Sequence, residues 1–205
     1  AESYTPIATS ITLSTTDIDL SYLGDTESLT VVVMDQTGEP MEGQTIDWSS
    51  SNDEIVTVSS NGEIEAISNG VATILASIGD VEAEASVVVE QVPAQIEIDP
   101  EALSMSYLGE NATLNTLVFD EGGTEILDVL PSFTSVDDSI ATVSADGEVT
   151  AIGNGTTTIT ASIDSLNAET VVNVEQVSAS FSLDTSVLLF SYLGDKSTVY
   201  AVVKD

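Results

Sequence analysis

Val81-Glu82-Ala83-Glu84-Ala85-Ser86-Val87-Val88-Val89-Glu90 is the stretch that decides the fold. Apolar side chains stand at 81, 83, 85, 87 and 89. Glu82, Glu84, Ser86, Val88 and Glu90 alternate with them. Successive side chains of an extended chain point to opposite faces, so this pattern predicts an antiparallel strand with one face buried and one in water. Leu29, Val31 and Val33 repeat the pattern around Thr30 and Val32. Between such runs lie turn signals: Gln36-Thr37-Gly38-Glu39-Pro40, Ser60-Asn61-Gly62, Ser68-Asn69-Gly70 and Ile78-Gly79-Asp80. Strands are predicted near 10–13, 17–22, 27–34, 45–50, 55–58, 63–67, 71–77 and 81–90, with no helix. That many short strands in one stretch predict an all-β, two-sheet sandwich. Asn61-Gly62 and Asp146-Gly147 fit tight hairpins, because these residue types tolerate positive φ.

The pattern then repeats. Ser-Tyr-Leu-Gly occurs at Ser21–Gly24, Ser106–Gly109 and Ser191–Gly194, each copy 85 residues after the last. Glu-Gln-Val recurs with the same offset at Glu90–Val92 and Glu175–Val177. The offset also pairs Asp35 with Asp120, Trp48 with Phe133, Gly62 with Gly147 and Gly70 with Gly155, without a gap. A period this long predicts a tandem array of domains, since solenoid repeats are mostly about 20–50 residues. The expected boundaries are 1–92 for the first domain, 93–177 for the second and 178–205 for the opening strands of a third. The third has about three strands of apolar sequence and too few residues to bury them alone. Either the natural chain continues, or a second chain completes the half-domain by strand donation and builds a filament. Gln91-Val92-Pro93 leads straight into the alternating Gln95-Ile96-Glu97-Ile98. With no flexible linker there, the sequence predicts sandwiches arranged end to end in a stiff row.

Composition restricts function. Of 205 residues 35 are acidic, against two lysines, Lys196 and Lys204, and the formal net charge is -33. Binding to nucleic acid or to anionic membrane needs cationic side chains, so neither partner is expected. Without histidine or cysteine there is no imidazole-based triad, no zinc site of Cys and His, and no disulfide. Hydrophobic residues still make up 42 % of the chain, enough for packed cores. No run approaches the roughly 20 apolar residues of a membrane-spanning helix, and the first residues carry no signal-peptide pattern. The chain is expected to be non-catalytic. The acid is spread through the repeats, with 17 acidic residues up to Val92 and 15 from Pro93 to Val177, so it belongs to the module and is no acidic tail.

Trp48-Ser49-Ser50-Ser51-Asn52, Ile55-Val56-Thr57-Val58, Gly62-Glu63-Ile64-Glu65-Ala66 and Gly70-Val71-Ala72-Thr73-Ile74 together resemble the bacterial immunoglobulin-like domain, group 2. The second repeat carries the same string as Phe133-Thr134-Ser135-Val136-Asp137, Ile140-Ala141-Thr142-Val143, Gly147-Glu148-Val149-Thr150-Ala151 and Gly155-Thr156-Thr157-Thr158-Ile159. It departs from the family at Phe133, where tryptophan is usual. The resemblance implies a sandwich without disulfides and tandem arrays on secreted or cell-surface bacterial proteins, such as intimin- and invasin-like adhesins, and on phage tails and secreted enzymes. In these the module is mostly a spacer or stalk without shared catalytic residues. The functional expectation is therefore a structural spacer of a surface protein. Its partners would be neighbouring immunoglobulin-like domains of the same or another chain, with host or surface glycans met through other domains. A carbohydrate-binding accessory module is the other reading.

Four groups of residues invite a sharper reading. Trp48 and Phe133 are either a sugar-stacking platform or core aromatics. Tyr22, Tyr107 and Tyr192 share parity with apolar neighbours and are expected to face inward at a strand end. The pairs Asp53/Glu54 and Asp137/Asp138 suggest glycosidase carboxylates, although copying an active site into every repeat would be unusual. Lastly, Asp25, Asp53, Glu54 and Glu90 are expected at the end where the first domain's chain leaves, with Asp120, Glu121, Asp146 and Asp164 where the second domain's chain begins. A calcium site built from these carboxylates is the one metal expectation, and plain solvated acid with diffuse counterions is its rival. No cofactor is required.

Overall fold

The structure is a computed structural model and describes residues 4–177, 180–183, 198 and 200–204. The third Ser-Tyr-Leu-Gly, with Tyr192, lies outside the described residues. The chain forms two compact units. The first comprises Ala1–Gln95 with Val118–Val129, the second Ile96–Leu117 with Leu130–Asp205.

In the first unit the strands are β1 (Ala8–Leu13), β2 (Asp17–Leu20), β3 (Thr26–Ser28), β4 (Val31–Asp35), β5 (Asp47–Ser50), β6 (Val56–Val58), β7 (Glu63–Ala66), β8 (Gly70–Ile78) and β9 (Val81–Val89). They form a four-stranded sheet in the order β2-β9-β8-β5, a three-stranded sheet β3-β7-β6 and a pair β1-β4. Their inward faces meet in one core, with Ile18 and Leu20 from β2, Ile74 from β8 and Val87 and Val89 from β9 packed with Val56, Ile64, Leu29 and Val33. The alternation of β9 is reproduced: Ala85, Val87 and Val89 are buried, and Glu82, Glu84 and Ser86 are exposed. This is an immunoglobulin-like sandwich.

The chain continues through β10 (Gln95–Asp99), β11 (Ala102–Met105), β12 (Asn111–Thr113), β13 (Asn115–Phe119), β14 (Ser132–Ser135), β15 (Ala141–Val143), β16 (Glu148–Ala151), β17 (Gly155–Ile163) and β18 (Leu166–Val174). The same topology recurs as β11-β18-β17-β14, β12-β16-β15 and β10-β13, around a core of Met105, Leu114, Val149, Ile159, Val172 and Val174. Beyond it, β19 (Ser180–Leu183) pairs antiparallel with β20 (Ala201–Lys204), as β1 pairs with β4.

Two expectations about the strands need correction. The stretch 27–34 is not one strand. It divides at Leu29-Thr30, where β3 pairs with β7 and β4 with β1. The buried Leu29 donates its N–H to Gly62 O at 2.8 Å in that gap, so the chain changes sheets without orphaning a backbone group. Nor is the pairing wholly antiparallel. β2 runs parallel to β9, and β11 parallel to β18. The alternating pattern reports which face is buried and says nothing of the neighbouring strand's direction.

The two hairpins at Asn61-Gly62 and Asp146-Gly147 are turns in which glycine alone takes positive φ, +80° at Gly62 and +78° at Gly147. A Cβ on Gly62 would stand 2.5 Å from Leu29 O and 2.8 Å from the Trp48 ring. Glycine is needed there for both dihedral and space. Gly79, at φ +59°, has open space around it. Gly62→Ala is therefore expected to cost well over the roughly 1–2 kcal/mol of a left-handed alanine. Gly79→Ala should cost no more than that conformational penalty. Thermal unfolding of the two variants checks this, and equal losses would refute the steric argument.

Candidate functional site

The strand ends and turns are where polar chemistry concentrates. After β2 and β11 the chain turns through Ser-Tyr-Leu-Gly followed by an acid, Asp25 or Glu110. Gly24 and Gly109 take φ of +85° and +82°. Asp25 Oδ2 accepts the Ser21 N–H at 3.1 Å, and Glu110 Oε2 accepts that of Ser106 at 2.5 Å. The acid closes its own turn, and the turn is pinned to the next sheet by Gly24 N–H to Ala66 O and Gly109 N–H to Ala151 O, both 2.8 Å. Tyr22 is half-buried, whereas Tyr107 is 51 % exposed, so the inward placement expected of these tyrosines fails at the second. Both lie past the last residue of their strand, where strand parity no longer directs a side chain.

The most constrained acids are Asp35 and Asp120, the buried charged residues among those described. Asp35 is the last residue of β4 and Asp120 directly follows β13, each before a short hairpin, and each divides its carboxylate between two tasks. One oxygen braces the hairpin. Asp35 Oδ1 accepts Thr37 N–H and Oγ1 (both 2.8 Å) and Glu39 N–H (3.0 Å), and Asp120 Oδ1 accepts Thr124 N–H (2.8 Å). The other oxygen reaches a different segment. Asp35 Oδ2 accepts the Tyr4 hydroxyl. Asp120 Oδ2 accepts Leu23 N–H at 3.1 Å and Gln91 Nε2 at 2.9 Å, which ties the hairpin carried by Val118–Val129 to the turn after β2 and to the end of β9 within the first unit.

Gln91 is itself held by Asn69. The Asn69 amide donates to Gln91 Oε1 at 3.0 Å, and Gln91 N–H returns to Asn69 Oδ1 at 2.9 Å. Asn154 and Gln176 repeat this bracket at 3.1 and 3.0 Å. Gly122 lets the hairpin come close, since a Cβ there would lie 2.8 Å from the Tyr22 ring and 3.0 Å from Leu23 O. The matching position in the first repeat is Thr37, which has a different neighbour, Tyr4.

Electrostatics follow from these bonds. Burial pushes the Asp120 carboxyl up, but the donors from Gln91, Thr124, Leu23 and Gly122 outweigh it and hold it below the usual carboxylate range. The Tyr4 hydroxyl is the main cause of the low Asp35 value. Burial opposes it, and the groups of Glu39 and Thr37 support it. Tyr22 is raised, first by the charge of Asp25, then by burial and by Glu121, with Asp120 contributing last.

Of the carboxylates proposed as metal ligands, Asp25, Glu121 and Asp120 lie near enough to Tyr22 for their charges to raise its hydroxyl pKa. The others do not join them. Glu90 directly follows β9, with its N–H on Leu20 O. Asp53 and Glu54 are exposed in the loop after β5, where Asn52 Oδ1 caps Glu54 N–H at 3.0 Å. Asp146 and Asp164 belong to the second unit. Asp146 lies in the β15–β16 turn, whose next residue, Gly147, accepts the Leu114 N–H at its carbonyl at 2.9 Å. Asp164 turns the chain between β17 and β18 at φ +50°. Among the described residues no group of three or more acidic side chains is placed to hold a metal ion.

The remaining candidates take structural positions as well. Asp137 accepts Ser139 N–H and Oγ at 2.9 and 2.6 Å, and these bonds lower its pKa. The first repeat makes the same kind of cap with Asn52, so this position does not need a carboxylate. Trp48 and Phe133 are half-buried, packed on their cores over Gly62 and Gly147. They seal the side of the sandwich and are not its centre. Two signals for the site were present in the sequence and unread: an acid following every Ser-Tyr-Leu-Gly, and Asn69/Gln91 recurring as Asn154/Gln176.

Comparison with known proteins agrees with the fold and the repeat. Residues 45–91 match the bacterial Ig-like domain family, and residues 121–164 match the immunoglobulin-like domain of intimin. The chain thus carries tandem bacterial immunoglobulin-like modules. No curated protein matches it. Among solved structures, it is similar to the S-layer protein rSbsC(31-844), at 22 % identity and a TM-score of 0.41 over 87 % of this chain and 30 % of that one. It is also similar to Yersinia pseudotuberculosis adhesin InvE, at 18 % and 0.36 over 82 % and 58 %. The N-terminal four Ig domains of Dscam1 match at 11 % and 0.47 over 83 % and 47 %. The chain spans less than a third of the full S-layer structure.

Asp120→Asn would turn an amide N–H toward donors, leaving at least one of them unsatisfied. A loss of about 1–3 kcal/mol at neutral pH is expected. Because the folded pKa of Asp120 is depressed, its contribution is full above the unfolded value near 4 and disappears as pH falls through the folded value. The melting-temperature gap between wild type and variant should therefore narrow as the pH is lowered below the unfolded value. A gap that persists in acid would refute the assignment. In a second measurement, Ca²⁺ and Mg²⁺ at equal ionic strength are expected to raise the melting temperature equally, as diffuse counterions do. A rise confined to Ca²⁺ and reversed by EDTA would reveal a specific site.

Proposed function

We propose that this chain is a non-catalytic spacer segment of a secreted or cell-surface bacterial protein, transmitting tension and holding other modules at a distance. One observation carries the reading: the last long strand of each sandwich is paired in parallel with a strand near its beginning. In β2 and β9 the bonds Ser86 N–H to Thr16 O, Glu90 N–H to Leu20 O and Val92 N–H to Ser21 O measure 2.8–3.0 Å. The second repeat has the same three, Val171 to Glu101, Glu175 to Met105 and Val177 to Ser106, at 2.9–3.0 Å.

Pulling the two ends of such a module draws parallel strands past one another, so the ladder is loaded in shear and its bonds resist together. An antiparallel hairpin pulled at its open end yields one bond at a time. The match to the intimin immunoglobulin-like domain supports a place on the cell surface. The use of the candidate carboxylates as turn braces supports a structural role over a catalytic one. The partners proposed are further immunoglobulin-like modules, with ligand recognition located in other parts of the protein.

Single-molecule stretching between the termini tests this. Two unfolding events of similar force are expected, each releasing at most about 30 nm of extended chain for a repeat of 85 residues. Gradual extension without discrete events would overturn the reading. So would binding of this chain alone to a glycan array.

A further inference from the structure

The second unit has an open groove of about 1130 Å³ along one edge of its sandwich, between β10 and the first half of β18. Its apolar lining includes Ile96, Ile98, Leu117, Ala168 and Val171, and its acidic lining is Glu97, Asp99, Glu101 and Glu169. On that edge of β18, β11 covers only Val171–Val174. From Leu166 to Glu169 no strand is paired there among the described residues, whereas Thr170 is buried with its hydroxyl on Pro100 O, so the backbone available to an added strand ends at Glu169.

The first repeat is an internal control. There β1 packs across β9, and Ile11 is buried, whereas its counterpart Ile96 is half-buried and lines the groove. Thr12, Ser14 and Thr16 of the first repeat become Glu97, Asp99 and Glu101, while Val32 and Ser86 become Leu117 and Val171. Apolar floor and acidic wall have thus both increased at one edge of one module. Val171 is 47 % exposed and Leu117 43 %, a cost in water that the sandwich does not itself require. No basic side chain occurs before Lys196.

We propose that this groove binds an extended basic segment of a partner protein, which adds as a strand to the Leu166–Glu169 edge. Side chains of a strand alternate between faces. Apolar residues at every second position fill the space over Ile96, Ile98 and the inward-facing Ala168, and lysine or arginine between them meets Glu97, Asp99, Glu101 and Glu169. A second copy of either repeat is a poor occupant, because its surface is acidic like the groove.

The test is titration of the full chain with the capped peptide Lys-Val-Lys-Val-Lys-Val-Lys, followed by backbone amide NMR at about 0.15 M ionic strength, where diffuse attraction is screened beyond about 8 Å. Shifts are expected at Leu166–Val171 and not at the equivalent Val81–Ser86. The serine-interrupted peptide Lys-Ser-Lys-Ser-Lys-Ser-Lys should bind at least about tenfold more weakly, having the charge without the apolar face. The variant Asp99→Ser, Glu101→Thr, Val171→Ser restores the first repeat's residues and should lose the shifts while keeping the rest of its spectrum. Equal binding of the two peptides, equal response of the two repeats, or full binding by the variant would each overturn the proposal. If the variant does not fold, the two-peptide comparison on the wild-type chain decides alone.

Discussion

Every charged side chain before Ser178 is negative, and this constraint governs the rest of the structure. No ion pair can form within the two full repeats, no disulfide can close a loop, and like charges repel across every surface. Attraction must come from apolar burial and from hydrogen bonds to neutral donors. The cores supply the first, with Ile64, Ile74, Val87, Ile159 and Val172 at or near zero exposure. The carboxylates supply much of the second. Asp25, Asp35, Glu110, Asp120 and Asp137 each accept backbone N–H groups at a turn, so part of the charge is stabilised by the dipoles it organises.

Asp35 and Asp120 show how a repeated residue acquires a local role. Their hairpin bonds are alike, because the hairpins are alike. Their second oxygens differ, since Asp35 meets a tyrosine hydroxyl and Asp120 meets a backbone N–H and a glutamine amide. The neighbouring residue adjusts accordingly: Thr37 adds a hydroxyl to the first site, and Gly122 vacates the space that the Tyr22 ring fills at the second. The groove beside β18 follows the same pattern. A shared backbone plan carries side chains in one copy that the other lacks.

The spacer role we propose rests on strand direction. The parallel pairing of β2 with β9 and of β11 with β18 puts the ladders nearest each chain end under shear when the ends are pulled. Equivalent bonds recur in both copies within about 0.2 Å, as expected if the same ladder serves the same purpose in each.

The sequence by itself determined the fold class, the 85-residue period and most strands, because alternation, turn residues and exact recurrence are local or one-dimensional signals. It also determined what the chain lacks, and with that the chemistry it does not perform through histidine, cysteine or arginine. What only the tertiary structure decided was partnership. Strand parity could not reveal the parallel pairing, nor the change of sheet at Leu29-Thr30. It could not direct Tyr107 once its strand had ended. A residue's type and spacing set which face it takes, while the strand or turn it meets is fixed by how distant segments return to it. The double use of Asp120 needs three segments, around residues 23, 91 and 120, that adjoin only when the chain is folded.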